Sequence, residues 1–263
     1  MNKGLQTILF LFTLTASVVM SSAQGMKMGE VIMVSNSTLK KDVKPGAFQD
    51  WINKEIAPSW NKKYPGVDIH LFRADRGDRK GDFLLVSRAA RVADRKTLPP
   101  GSPFTEKVIS VTNAASKSPA DFLSTPGSYT EYRLIGSQKF KSLPVAGILG
   151  IHYIKVKPQR SEEFEKFVIE KLHPAVGQLF PDMQLLYYKA VAGDPGSNRD
   201  AGEYITIFTI ESVAARDKYW PAGAPETEIL KQTFHPLKNL AVELGTFLVE
   251  DSYLKPESGG AAA

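Results

Sequence analysis

The chain has 263 residues, 43% hydrophobic, 23% charged and 10% aromatic, with a formal net charge of +5 and no cysteine. That composition is ordinary for a globular protein. It excludes disulfides and thiolate metal sites, and a positive excess spread along the chain rather than gathered in one block argues against nucleic acid as a partner.

In chain order the first feature is a leader. Lys3 precedes an apolar run from Leu5 to Met20, and Ser21-Ser22-Ala23 follows it, which is the layout of a secretory signal peptide. The run is shorter than the roughly 20 apolar residues a membrane span needs. Residues 1–23 therefore read as a signal peptide cleaved after Ala23. The remainder reads as a soluble protein exported to the periplasm or secreted, with no membrane contact after cleavage.

The next elements come twice. A strand over Glu30–Ser35 precedes a helix whose stripe is Phe48, Trp51, Ile52, Ile56, Trp60 and Tyr64. In the same spacing Phe164, Phe167, Val168, Leu172, Val176 and Phe180 follow the strand Ile148–Val156. Pro58 and Pro65 find counterparts in Pro174 and Pro181. After each helix come a strand (Val67–Ala74, Met183–Ala192), a Gly- and Asp-rich turn, and a further strand (Phe83–Ser87, Tyr204–Ile210). A short second helix begins at Val92-Ala93-Asp94-Arg95 or Val213-Ala214-Ala215-Arg216, and a last strand is expected over Tyr129–Ile135 or Thr246–Tyr253. The order strand, helix, strand, strand, helix, strand, run twice, predicts an α+β fold of two tandem ferredoxin-like βαββαβ repeats, at residues 28–137 and 145–255. Residues 256–263 are expected to be a flexible tail. Apolar residues at both parities of Ile148–Ile154 and Ile205–Phe208 predict sheets covered on both faces, most simply by packing sheet against sheet.

This duplicated pattern, with its long aromatic-striped first helix, resembles the dimeric α/β-barrel superfamily. That superfamily includes antibiotic-biosynthesis-type monooxygenases, stress-responsive barrel proteins, and the chlorite dismutase and dye-decolorising peroxidase groups. The resemblance implies one intramolecular barrel of two units, with a ligand space between the helices and sheet of a unit. No motif selects a member family.

Three of the four histidines, His152, His173 and His235, fall in the second repeat, where His173 stands in place of Ala57. His173 and His235 each precede a proline, so a kink or break is expected there, with the imidazoles placed to satisfy carbonyls freed near Glu170 and Gln232. His152, on a strand, would face the ligand space. With Tyr187, Tyr204 and Trp220 these histidines form the candidate pocket of the second repeat, suited to a small apolar or aromatic ligand. The leading functional reading is an exported small-ligand-binding barrel, as monomer or homodimer. One alternative is a cofactor-free oxygenase-like enzyme of the antibiotic-biosynthesis-monooxygenase type acting on an aromatic or quinone-like substrate. Others are a haem-binding barrel with one of the histidines as axial ligand beside Arg216 and Trp220, or a structural protein without a ligand. No cofactor and no metal is expected as the first choice, since HExxH and similar spacings are absent and Asp194–Asp200 reads as a hairpin turn rather than a calcium loop.

Overall fold

The computed structural model describes residues 18–20, 29–75, 80–96, 117–124, 128–137, 148–193, 203–219, 221 and 235–249. Each repeat opens with a strand buried on both faces, β2 (Val31–Ser37) and β6 (Ile148–Ile154), and the two share one burial pattern. The first strand begins and ends slightly later than expected, and the second gives way to a lone bridge at Val156.

A long helix follows each. The first, α1, consists of Pro45–Trp51, a π-helical turn Ile52–Ile56 and Ala57–Lys63. Between β6 and the next strand, α4 consists of Ser161–Phe167, a π-helical turn Val168–Leu172 and His173–Leu179. Pro58 and Pro174 carry no N–H for the carbonyl four residues back, so the chain widens by one residue for a turn and then resumes the α-helix. The break expected at His173-Pro174 is therefore a bulge in a continuous helix. The stripe residues expected to be buried are buried in both copies.

The remaining elements are β3 (Val67–Ala74), β4 (Phe83–Ala89), the short helices α2 (Val92–Arg95) and α3 (Pro119–Phe122), and β5 (Ser128–Ser137) in the first repeat. The second repeat has β7 (Met183–Gly193), β8 (Tyr204–Ile210), α5 (Val213–Tyr219) and α6 (Lys238–Phe247). A 3-10 turn, His235–Leu237, leads into α6, so His235-Pro236 marks the approach to a helix rather than a kink inside one. The start of the expected last strand Thr246–Tyr253 is corrected as well, while its residues 250–253 lie outside the described residues. Leu237, Ala241, Leu244 and Phe247 are buried at helical spacing, and this packing keeps the chain helical through Phe247 before a lone bridge from Leu248 to Val156. Residues 250–263, including the expected tail, lie outside the described residues.

All the strands are antiparallel and close into one barrel in the order β1-β3-β4-β2-β5-β7-β8-β6. The two sheets do not stack as separate layers; their edges join, and their bare faces become the barrel interior. At one seam β5 pairs with β7 from Thr130↔Gly193 to Ser137↔Leu186, with bulges at Glu131/Tyr132 and Leu134/Gly136. At the other, a three-residue strand β1 (Val18–Met20), from the segment read as a leader, lies between β3 and β6. Ile32, Phe72, Val86, Tyr132, Tyr188 and Ile207 are among the residues that fill the interior, while the long helices cover the outer faces with two further apolar clusters. Polar groups tie the repeats across the interior: Asn36 Nδ2 donates to the Tyr153 hydroxyl (3.0 Å) and the Tyr188 hydroxyl donates to the Gly29 carbonyl (2.9 Å).

Gly150 is demanded by close approach. A Cβ on Gly150 would lie 2.0 Å from the Phe208 ring, which rests on the β6 backbone there. Gly150→Ala is expected to cost about 1–3 kcal/mol, as overpacking does, and Phe167→Ala about 3–5 kcal/mol as a core truncation. Urea unfolding measures both, and a cost near zero for Phe167→Ala would contradict its place on the buried face of α4.

Candidate functional site

Strand parity divides the second repeat's side chains between barrel interior and helix layer. Leu149, Ile151, Leu186, Tyr188, Ile205 and Ile207 point inward, whereas Ile154, Leu185, Tyr187, Tyr204 and Phe208 meet the helices. His152 and Thr206 share the parity of the second group. Register then lines up four residues across four strands: Gly136 on β5 faces Tyr187 on β7, Tyr187 faces Thr206 on β8, and Thr206 faces His152 on β6. The result is a row of polar side chains running under the helix layer and ending at a glycine. In the first repeat the matching row is Leu71, Leu85 and Ser35, and the helix position above it is Ala57 rather than His173.

His173 sits over the Gly136 end. The π-helical turn of α4 delivers it to the sheet, where Nε2 lies 3.0 Å from the Leu185 carbonyl and the ring meets Tyr187 edge-on at 5.3 Å between centroids. A carbonyl only accepts, so Nε2 carries the proton and Nδ1 keeps its lone pair. The imidazole therefore satisfies a strand carbonyl, not the helix carbonyls near Glu170. Burial lowers the His173 pKa, and the Leu185 contact opposes that shift without reversing it. At neutral pH the ring is uncharged. A Cβ on Gly136 would come to 4.0 Å from Nδ1 and 3.4 Å from Ile169, so the glycine leaves room for about one methyl group beside that lone pair. The bulge that skips Ile135 between Leu134 and Gly136 aims this backbone at the helix.

The row itself is buried. Burial lowers His152 to about 3 and pushes the Tyr187 phenol up, with the Thr206 hydroxyl beside Tyr187 acting in the opposite direction. His152 lies against Phe208, 5.7 Å between ring centroids. Tyr204 faces the same layer but belongs to a separate group. Its hydroxyl donates to Glu165 Oε1 (2.7 Å), which also accepts from Lys189 Nζ (2.8 Å), and burial raises its phenol to about 12.

Of the residues expected in one pocket, His152, His173, Tyr187 and Tyr204 thus share a layer, and His173 and Tyr187 touch. His235 is exposed on the turn before α6. Trp220 lies outside the described residues. Arg216 is buried and donates to Asp75 Oδ2 and Asp217 Oδ1, both at 2.9 Å, joining the repeats instead of flanking a ligand. Sequence reasoning passed over Gly136, Ile169 and Thr206; the bulge that brings Gly136 opposite Tyr187 is announced by no local pattern. Among the described residues there is no group of three or more metal-ligating side chains, and no helix is long and apolar enough to cross a membrane.

No protein-family model matches the sequence, and no curated protein matches it. Solved structures match in shape. An anthrone oxidase-like protein superposes with a TM-score of 0.52 at 12% identity, over 88% of this chain and 90% of its own. This is the dimeric α/β-barrel fold. A putative monooxygenase from Fusobacterium nucleatum gives a TM-score of 0.45 at 13% identity, over 81% of this chain and 88% of its own. A chlorite dismutase variant from Candidatus Nitrospira defluvii gives 0.41 at 13% identity, over 79% and 85%. In the present chain both units of the barrel are repeats of a single polypeptide.

The neutral His152 carries a pH signature. Its folded pKa lies below the unfolded value, so the unfolded chain binds more protons and stability falls as pH drops below about 6.5 towards about 3. The fall attributable to His152 approaches about 1.4 kcal/mol per pH unit. In His152→Gln, urea midpoints between pH 6.5 and 4 are expected to decline less steeply than in the wild type; identical slopes would show that His152 is not held neutral.

Proposed function

We propose that the protein is an exported small-ligand-binding α/β-barrel whose second repeat receives a small aromatic ligand under the helix layer, above Gly136. The observation that carries this reading is the polar row capped by His173, which occurs in the second repeat where the first has Leu71, Leu85 and Ala57. A buried polar row lowers stability unless it is used, since each polar group gives up water on burial. A ligand hydroxyl donating to His173 Nδ1 would use it. Tyr187 and the exposed Ile169 flank that position with apolar surface, against which a flat ring would lie once the Ile169 side chain moves aside. Export rests on the leader read at residues 1–23, and cleavage after Ala23 would remove β1 from the seam between β3 and β6.

The second reading, a cofactor-free oxygenase-like enzyme, rests on the same nitrogen. A neutral imidazole in a buried site is a competent general base towards a bound aromatic hydroxyl or an acidic C–H. The anthrone oxidase-like neighbour shares the fold with this chain. Haem does not suit the donors present. Iron needs an imidazole nitrogen with room for the whole macrocycle beside it, yet His173 Nε2 is committed to Leu185, Nδ1 has only the small space above Gly136, and His152 is packed on Phe208.

The test is a fluorescence titration with a planar phenol such as 2-naphthol. His173→Ala is expected to weaken binding about tenfold, the worth of one hydrogen bond, and to leave the fold nearly intact. Gly136→Leu is expected to fill the space and abolish binding. Large destabilisation by His173→Ala with unchanged affinity would show the histidine to be structural and end the ligand reading. Oxygen uptake on mixing with the phenol separates the oxygenase from the plain binder.

A further inference from the structure

His173 Nδ1 keeps a lone pair inside the molecule, and one exposed side chain reaches the space beside it. Apart from the glycine and its chain neighbours, a Cβ on Gly136 would have two heavy atoms of the described residues within 4 Å, Ile169 Cγ1 at 3.4 Å and His173 Nδ1 at 4.0 Å. Ile169 and His173 are four residues apart on α4, which makes them neighbours on one helix face. Helical side chains lean back towards the N-terminus, so His173 leans towards the turn that carries Ile169. The imidazole is 5% exposed and Ile169 is 43% exposed, so the isoleucine extends from solvent to the lone pair's surroundings.

The first repeat shows that this helix position does not require an apolar residue. Its counterpart there is Asn53, exposed on α1, and one turn later stands Ala57 where the second repeat has His173. The isoleucine thus occurs in the repeat that has an imidazole to cover. Single apolar residues on a surface need no explanation, but this one comes together with the histidine and with a glycine that leaves room beneath it. The rest of α4 is pinned on both sides. Upstream, Glu165 accepts from Tyr204 (2.7 Å) and Lys189 (2.8 Å); downstream, His173 holds the Leu185 carbonyl and Phe180 meets Tyr219 edge-on at 5.1 Å. Lys171 is paired with Glu243 of α6 (2.6 Å). Helix and sheet therefore stay in place, and the part free to move is the Ile169 side chain, which has water on its outer side and no hydrogen bond to break.

We propose that Ile169 is the gate of the site: its side chain shields His173 Nδ1 from solvent, and its swing is the route by which a compact neutral molecule reaches that nitrogen. The inference rests on the space beside Nδ1 being the ligand site, and it adds the residue that decides what size of molecule enters. A neutral molecule suits the route, because a charge would give up its water on passing an apolar side chain.

Alkylation by iodoacetamide, a compact neutral reagent, reads this access without any ligand. The Nδ1 lone pair attacks the methylene carbon, an N–C bond forms, the C–I bond breaks and iodide leaves, while Nε2 keeps its proton and its hydrogen bond. The chain has no cysteine, so no thiol competes for the reagent, and peptide mapping by mass spectrometry follows each histidine separately. At neutral pH His173 of the wild type is expected to react at least about tenfold more slowly than the exposed His235, as a group does that reacts only on local opening. Ile169→Ala is expected to speed alkylation of His173 about tenfold relative to His235 by removing that protection, and to leave His152 unchanged. Ile169→Phe is expected to keep His173 protected. His173 reacting as fast as His235 in the wild type, or no acceleration in Ile169→Ala, would overturn the gate. So would His152 accelerating together with His173, since that would report a loosened helix layer. Failure of 2-naphthol to bind would end the ligand reading and leave the gate standing, whereas unchanged alkylation in Ile169→Ala would end the gate whatever 2-naphthol does.

Discussion

The pairing of β5 with β7 is the contact on which the rest of the molecule depends. A ferredoxin-like unit hides one face of its sheet under helices and leaves the other bare, which no isolated unit tolerates in water. By extending β5 past its own sheet and onto β7, the first repeat turns two bare faces into one interior, filled by Tyr132, Tyr188, Phe72 and their neighbours. The same ladder builds the candidate site, because its second bulge carries Gly136 to Tyr187 and under His173. Closure and the proposed site therefore share one set of hydrogen bonds, and a change that loosened the seam would disturb both.

Much of this was legible in the chain itself because the signals were written twice. The stripes beginning at Phe48 and Phe164 specify the long helices, and the runs Val67–Ala74 and Tyr204–Ile210 match their strands end to end. Other features depended on partners distant in sequence. Proline argued for a break at Pro174, but the packed stripe on both sides of it favours a continuous helix, and a π-helical turn reconciles the two. Thr246–Tyr253 looked like a strand, yet Leu244 and Phe247 hold α6 together through the point where it was expected to begin. Within the site, His173 and Tyr187 were recognisable by type and by their repeat. Gly136 and Thr206 were not, since a glycine and a threonine in strands have no meaning until register is known.

The electrostatics of the two repeats follow from the same comparison. Where the first repeat puts Leu71 and Leu85, the second puts a phenol and a hydroxyl, with imidazoles at either end, and burial keeps both imidazoles uncharged near neutral pH. Such a site presents directional hydrogen-bonding groups without net charge, which favours neutral partners carrying one polar handle over ionic ones. Charged residues nearby are already committed to one another, Glu165 to Lys189 and Tyr204, and Arg216 to Asp75.

Joining both units of the barrel in one chain has a consequence for how such a pocket arises. When two identical subunits form the barrel, every substitution appears in both cavities, and a polar group that unsettles one unsettles its twin. Here the histidine at position 173 has no mate at position 57, where an alanine keeps the first helix packed. Half of the molecule can stay oil-filled and hold the barrel rigid while the other half carries buried polar groups, a division of labour closed to a symmetric pair.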